Sequence, residues 1–271
     1  MTKPIKLICL DLDGTLIDIY NKEKSNHIPE ENIKSIQKAI SQGIHVCFST
    51  GRRKTNCERF AKQLGMENEY YICYNGGKIC QGNETLCEYP LEGEILHKIS
   101  ETIKKHKMYA QYYINDIMHI DTLTNHVKSN PNNIGLEIVE LGEELYSLES
   151  TTKIALCTYD KEEKERWFDI LNKIEGIETV NIFHSTPIYI EITAKQANKG
   201  TAVQFLVQHL GISLDEVMAI GDGDNDISML DVVGYPVVMG QSSEQLKKGR
   251  IVTETCWNAG VSVAIEKYCF N

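Results

Sequence analysis

Short apolar runs punctuate the chain, and each stops on a polar residue: KLICLD on Asp11, IHVCFST on Thr50, YYICYN on Asn75 and EVMAIGD on Asp222. Runs of this length without alternation suit strands buried on both faces, as in a parallel sheet covered by helices. Between them the apolar period lengthens. PEENIKSIQKAISQG places Pro29 at a first helical position, sets Ile33, Ile36 and Ile40 on one face and stops at Gly43. RRKTNCERFAKQLG and KGTAVQFLVQHLG close on Gly65 and Gly211, which suit the left-handed conformation just past a helix end. Alternating strands and helices predict an α/β fold with a doubly wound, Rossmann-like parallel sheet. Ligands of such sheets bind beyond the carboxyl ends of the strands. The four polar residues stand at those ends.

From about residue 83 to 194 the rhythm changes. An amphipathic helix over 92–107 leads to YAQYYI and IMHID, which read as antiparallel strands around Asn115 and Asp116. A loop containing SNPNN at 129–133 follows, then KIALCTY, a helix over 161–174, and the strands ETVNIFH and IYIEIT. This is the pattern of an α+β module with one wet sheet face. The α/β rhythm resumes at Lys199, so the expected organisation is a catalytic core of residues 1–82 and 195–271 with an inserted cap of 83–194.

Composition narrows the function. The 271 residues are 42% hydrophobic and 24% charged, ordinary for a globular protein with a sizeable core. With 28 Lys and Arg against 38 Asp and Glu the formal charge is -10, which speaks against nucleic acid or an anionic membrane as partner. An anionic substrate needs local positive charge or a metal. The basic stretch HKISETIKKHK at 97–107 reads as a solvated helix face. The nine cysteines are odd in number, and Cys9, Cys47, Cys73 and Cys157 lie inside apolar runs, as buried thiols of a reducing compartment do. Cys73, Cys80 and Cys87 lack the pairing of a zinc site. MTKPIKL enters the first strand at once, and no run approaches eighteen apolar residues, so the expected setting is the cytoplasm.

Asp11 and Asp13 lie two apart at a strand end, so an extended backbone points both to one side. That arrangement serves attack by Asp11 on phosphorus, with Asp13 as acid to the leaving oxygen and then base to water. The alternative is a plain acidic turn. GDGDND at 221–226 adds a second acidic strand end. A calcium loop counted from Asp222 fails, because Ile227 stands where Gly and Val233 where Glu are needed. Mg²⁺ held by one or two carboxylates, substrate phosphate and waters fits better. Asp222 is then the ligand, Asp226 an outer brace or a ligand through water, and Asp224 a solvated group. Thr50 and Gly51 open a helix and offer a hydroxyl and N–H groups to an anion, or merely cap it. Lys199 sits in a first helical turn, where a cation opposes the helix dipole. It either faces phosphate and carboxylates or is a surface lysine beside an Asn198 cap.

Taken in order, D-L-D-G-T, S-T-G-R, N-K-G and G-D-G-D-N-D resemble the haloacid dehalogenase superfamily of phosphatases. The insert between the second and third motifs resembles its Cof-type branch, with a large α/β cap of type C2B. The resemblance implies Asp11 as nucleophile and Asp13 as acid/base and, through its carbonyl, metal ligand. It also implies Asp222 in a Mg²⁺ site braced by Asp226, and Lys199 neutralising charge on Asp11 and the phosphoryl group. Thr50 and Gly51 would hold that group, Asn225 would orient phosphate or Lys199, and Asn75 in YNGG would touch substrate. FSTGRR departs from the usual Ala before Thr, and GQSS at 240–243 from the usual Gly-Asn-Ala. The expected reaction is hydrolysis of a small phosphorylated metabolite, foremost a sugar phosphate. A phosphomutase of the same superfamily and a non-catalytic phospho-ligand sensor are the alternatives. The cap would close over the site and select the leaving group; Tyr109, Tyr112, Tyr113 and His119 are either cleft or core residues of it.

Overall fold

The computed structural model describes residues 3–20, 27–124, 127–128 and 136–270. The chain forms two compact units, one running up to Cys87 and resuming at Asn198, the other Glu88–Ala197. These divisions fall a few residues beyond the expected 82/83 and 194/195. Strand pairing continues past residue 82, since the strand at 84–88 still belongs to the first unit's sheet.

The first unit opens with β1 (Leu7–Leu10), α1 (Glu30–Ser41), β2 (His45–Ser49), α2 (Lys54–Leu64), β3 (Tyr70–Cys73), β4 (Lys78–Gln81) and β5 (Glu84–Glu88). The second unit holds β6 (Leu91–Glu92), α3 (Gly93–Lys105), β7 (Ala110–Ile114), β8 (Ile117–Ile120), β9 (Ile138–Glu140), β10 (Ser150–Thr151), β11 (Lys153–Cys157), α4 (Lys161–Leu171), β12 (Val180–Thr186) and β13 (Tyr189–Ala194). The first unit then resumes with α5 (Lys199–Leu210), β14 (Val217–Gly221), α6 (Ile227–Leu230), β15 (Tyr235–Val238), α7 (Glu244–Lys247), β16 (Ile251–Val252) and α8 (Gly260–Cys269).

The first unit's sheet has the order β16-β15-β14-β1-β2-β3-β4-β5. All pairs from β16 to β3 are parallel, and β4 runs antiparallel to β3. This is the expected α/β, doubly wound arrangement. Every side chain of β1 and β14 is buried, as strands covered on both faces require. Strand order reverses direction at β1, so the crevice of such a sheet opens at the carboxyl ends of β1 and its neighbours.

The predicted helix ends hold, with Gly65 and Gly211 left-handed at φ 70 and 65. On α1 the buried face differs from the expected isoleucine stripe: Asn32, Ser35, Ile36 and Ala39 are buried, while Ile33 and Ile40 are half-buried. The cause is α8, whose Ser262 N–H donates to Asn32 Oδ1 at 2.9 Å. A polar contact there displaces the apolar stripe toward the edges.

The second unit is built on a six-stranded sheet of order β12-β13-β11-β7-β8-β9, antiparallel except for β8 with β9. Asn115 and Asp116, at φ 53 and 65, make the two-residue turn joining β7 to β8. The helices are shorter than the expected 92–107 and 161–174 by a turn or less. Tyr112 is a core residue, its hydroxyl 2.9 Å from Ser100 Oγ; Tyr109 packs beside the same core, and Tyr113 and His119 are half-buried. The SNPNN loop lies outside the described residues. All nine cysteines are free thiols; seven are buried, and Cys87 and Cys269 are half-buried. No helix among the described residues is long and apolar enough to cross a membrane.

Candidate active site

Asp11 follows β1 directly and its N–H continues the ladder, donating to Ile220 O at 3.0 Å. Asp222 follows the adjacent β14. Parallel pairing of β1 with β14 therefore brings residues far apart in sequence side by side. Oxygens of Asp11, Asp222 and Asp226 lie within 4.8 Å of one another.

Lys199, the first residue of α5, enters this cluster. Its Nζ donates to Asp11 Oδ1 at 2.6 Å and to Asp226 Oδ1 at 2.6 Å, and the side chain is wholly buried. The surface-lysine alternative is thereby excluded. Asn198 caps the helix, accepting from Thr201 N at 2.8 Å. Asp226 uses its second oxygen to accept from the N–H groups of Asp222 and Gly223 at 2.9 and 3.0 Å. It thus braces both the lysine and the loop that carries Asp222.

The charges do not balance. Burial pushes the Asp11 carboxyl well above its usual range; Lys199 opposes this, while Asp226 and Asp222 reinforce it. Asp222 is pushed up to about 6 by burial and by Asp226. Burial alone would lower Lys199, but Asp11 and Asp226 outweigh it and hold the ammonium above its ordinary value. Three carboxylates sharing one ammonium leave an excess of negative charge. An oxygen-rich donor set with such an excess fits a hard divalent cation.

Gly14 makes this proximity possible. It has φ +84, and a Cβ there would lie 2.2 Å from Asp222 Oδ2. Three side chains at the rim secure the same corner. Gln241 Nε2 donates to Gly14 O at 2.5 Å while its Oε1 accepts from Cys256 N at 3.1 Å. Ser242 Oγ donates to Asp222 O at 2.9 Å, and the half-exposed Tyr20 hydroxyl reaches Asp222 Oδ2 at 3.4 Å. Gln241 and Ser242 stand in the GQSS departure, so the substitution keeps a bracing role.

Two expectations are corrected. The backbone turns at Leu12, whose carbonyl accepts from Leu16 and Ile17, so the extended geometry expected from Asp11 to Asp13 does not hold. The Asp13 carboxylate is gripped by Arg52, Nε to Oδ2 at 2.7 Å and Nη2 to Oδ1 at 2.5 Å. Nor do Thr50 and Gly51 open a helix, since α2 starts at Lys54 with Arg53 as its cap. Thr50, fully buried, pairs through its N–H with Ile72 O, and its Oγ1 accepts from Arg52 N at 3.2 Å. The loop is held off helical geometry by Tyr74 N, which donates to Arg52 O at 3.0 Å.

Asn75, left-handed at φ 55, accepts from Asn225 Nδ2 at 3.3 Å, and a Cβ on Gly51 would lie 3.1 Å from its amide. Asn225 therefore meets Asn75, while Lys199 is bound by Asp11 and Asp226. Asp224 is exposed, as expected. Arg52, Gln241 and Tyr20 carry no role in the motif reading. A cation one residue past the Thr50-Gly51 strand end, at an acidic sheet edge, was the available signal for Arg52.

A doubly wound sheet with aspartates from two adjacent strand ends around one buried lysine defines a class of enzymes that act on anionic esters. The sequence signature of the haloacid dehalogenase-like hydrolases matches residues 8–265, and the chain belongs to that family, in its Cof-type phosphatase branch. Among its relatives, the 5-amino-6-(5-phospho-D-ribitylamino)uracil phosphatase YcsE of Bacillus subtilis strain 168 is 29% identical over 97% of this chain and 96% of its own. The HMP-PP phosphatase of Escherichia coli O6:H1 is 29% identical over 89% and 86%. The solved subclass IIB sugar phosphatase BT4131 superposes with a TM-score of 0.79 at 25% identity, covering 97% of this chain and 98% of its own.

Proposed function

We propose that the chain is a Mg²⁺-dependent phosphomonoester hydrolase of small phosphorylated metabolites, sugar phosphates foremost, working through an aspartyl-phosphate on Asp11. The observation that carries this reading is the Lys199 ammonium buried between Asp11 and Asp226 inside a three-carboxylate cluster. The names of the relatives, a ribitylaminouracil phosphate, an HMP-PP and a sugar phosphatase, support the substrate class.

Asp11 and Asp222, with the Asp13 carbonyl, are the residues that would hold Mg²⁺, and Asp226 would brace them. When bound, the ion supplies positive charge for the phosphoryl oxygens. The chain's own residues account for the rest. Lys199 shields Asp11 from its neighbours' charge and offers an ammonium to the same oxygens. Thr50, Gly51, Asn75 and Asn225 converge from three loops to seat the transferring group, whose chemistry asks mainly for position and charge stabilisation. An Asp11 oxygen bonds to phosphorus as the bond to the leaving oxygen breaks, and Asp13 gives that oxygen a proton. Asp13 then takes a proton from water, the water oxygen bonds to phosphorus, and Asp11 is released with inorganic phosphate.

The test is release of nitrophenol from para-nitrophenyl phosphate with Mg²⁺, by wild type and Asp11→Asn. The expected outcome is a loss of at least about a thousandfold, the scale of removing a nucleophile that acts as part of a unit. Equal rates would end the aspartyl-phosphate mechanism.

A further inference from the structure

Arg52 grips Asp13 through two parallel bonds, the strongest geometry a guanidinium offers a carboxylate. The arginine is itself held in place. Its N–H donates to Thr50 Oγ1, its carbonyl accepts from Tyr74 N, and its guanidinium lies 5.5 Å from the ring centre of the buried Phe60. Side-chain exposure is 23% for Arg52 and 38% for Asp13, so the fork is anchored on the protein side and open on the carboxyl side. An ionised carboxylate can keep both bonds. Both bonds together fix the plane of the carboxyl, and each oxygen keeps a lone pair on the side away from the guanidinium.

We infer that Arg52 is the positioning residue for Asp13: its fork fixes the plane in which the carboxyl presents its outer side to the leaving group. The inference rests on the proposed acid role of Asp13. In the step concerned the bond between phosphorus and the leaving oxygen breaks as the Asp11 oxygen bonds to phosphorus, and the Asp13 proton passes to the leaving oxygen. Arg52 gains and loses no proton. A lysine could not replace it fully, since an ammonium is a point charge without the planar fork.

The experiment compares kcat/KM for two esters with Mg²⁺. The leaving group of para-nitrophenyl phosphate departs with little need of a proton, whereas that of benzyl phosphate, an alkoxide, depends on one. Because kcat/KM reports only the steps through leaving-group release, later hydrolysis of the enzyme ester does not enter. Arg52→Ala is expected to lose roughly ten- to a hundredfold more on benzyl than on para-nitrophenyl phosphate, within the range of general acid catalysis. Arg52→Lys should fall between it and wild type, and Asp13→Asn should show the same bias more strongly. Equal losses of Arg52→Ala on both esters, or no loss, would overturn the inference and leave the fork a structural tie. If Asp13→Asn shows no bias, the acid role of Asp13 fails first. If wild type hydrolyses neither ester, the proposed function falls.

Discussion

Lys199 shows most directly how single residues hold this site together. Its ammonium is the one cation in contact with Asp11 and Asp226 among the described residues, and all three side chains are nearly or wholly out of solvent. Removing one partner of a buried pair leaves uncompensated charge and typically costs about 3–5 kcal/mol. Lys199→Met should therefore lower the unfolding free energy in urea by roughly that amount in EDTA, and added Mg²⁺ should recover part of it. Gly14→Ala acts on the same corner by a different route. Its Cβ would collide with Asp222 Oδ2, and φ +84 disfavours any side chain. The carboxylate must move, so Mg²⁺ binding measured by calorimetry should weaken by at least about tenfold, the effect of disturbing a metal site's surroundings. Asp11, Asp222, Asp226 and Lys199 were legible in the sequence because each follows or begins a recognisable element. The hold of Arg52 on Asp13 was not, because a loop arginine's partner is chosen by how two strand-end loops meet.

Among elements, the informative case is the loop between β2 and α2. An ordinary reading starts the helix at Thr50, where a hydroxyl follows an apolar strand. The chain instead delays the helix to Lys54, because Tyr74 N takes the Arg52 carbonyl and Thr50 Oγ1 takes the Arg52 N–H. The first bond comes from a neighbouring strand end and no local propensity encodes it, whereas the second is a local turn of the chain on itself. The far ends of the helices are simpler. Gly211 terminates α5 at φ 65, and a Cβ there would meet nothing within 4 Å. Gly211→Ala should cost only the conformational penalty, about 1 kcal/mol, read as a small shift of the urea midpoint. A larger loss would mean that the space beside the helix end is tighter than the structure has it.

The whole molecule carries a formal charge of -10, yet the site must accept an anion. Locally the conflict is sharper, since Asp11 and Asp222 are both raised by burial and by neighbouring carboxylates. A carboxyl raised in the folded state binds its proton more tightly there than in the unfolded chain. The metal-free protein should therefore lose stability as pH rises from the ordinary carboxylate range near 4 through about 6, the value to which Asp222 is pushed. A divalent cation held there would compete with that proton and bind the ionised form. Thermal unfolding with and without Mg²⁺ should thus show stabilisation of several degrees at about pH 7.5 and little at about pH 5. An equal shift at both pH values would place the ion away from Asp222.

Taken alone, the sequence determined the layers of this protein. Its apolar runs are strands, the intervening 3.6-residue patterns are helices, and the strand ends carry the acidic groups, because periodicity and burial act along the chain itself. Tertiary structure decided what those groups do to one another. Parallel pairing of β1 with β14 set Asp11 beside Asp222, the start of α5 drove Lys199 between Asp11 and Asp226, and the packing of two loops turned Asp13 toward Arg52. Distances between side chains hundreds of residues apart depend on how elements meet, and that information is spread over every contact of the core.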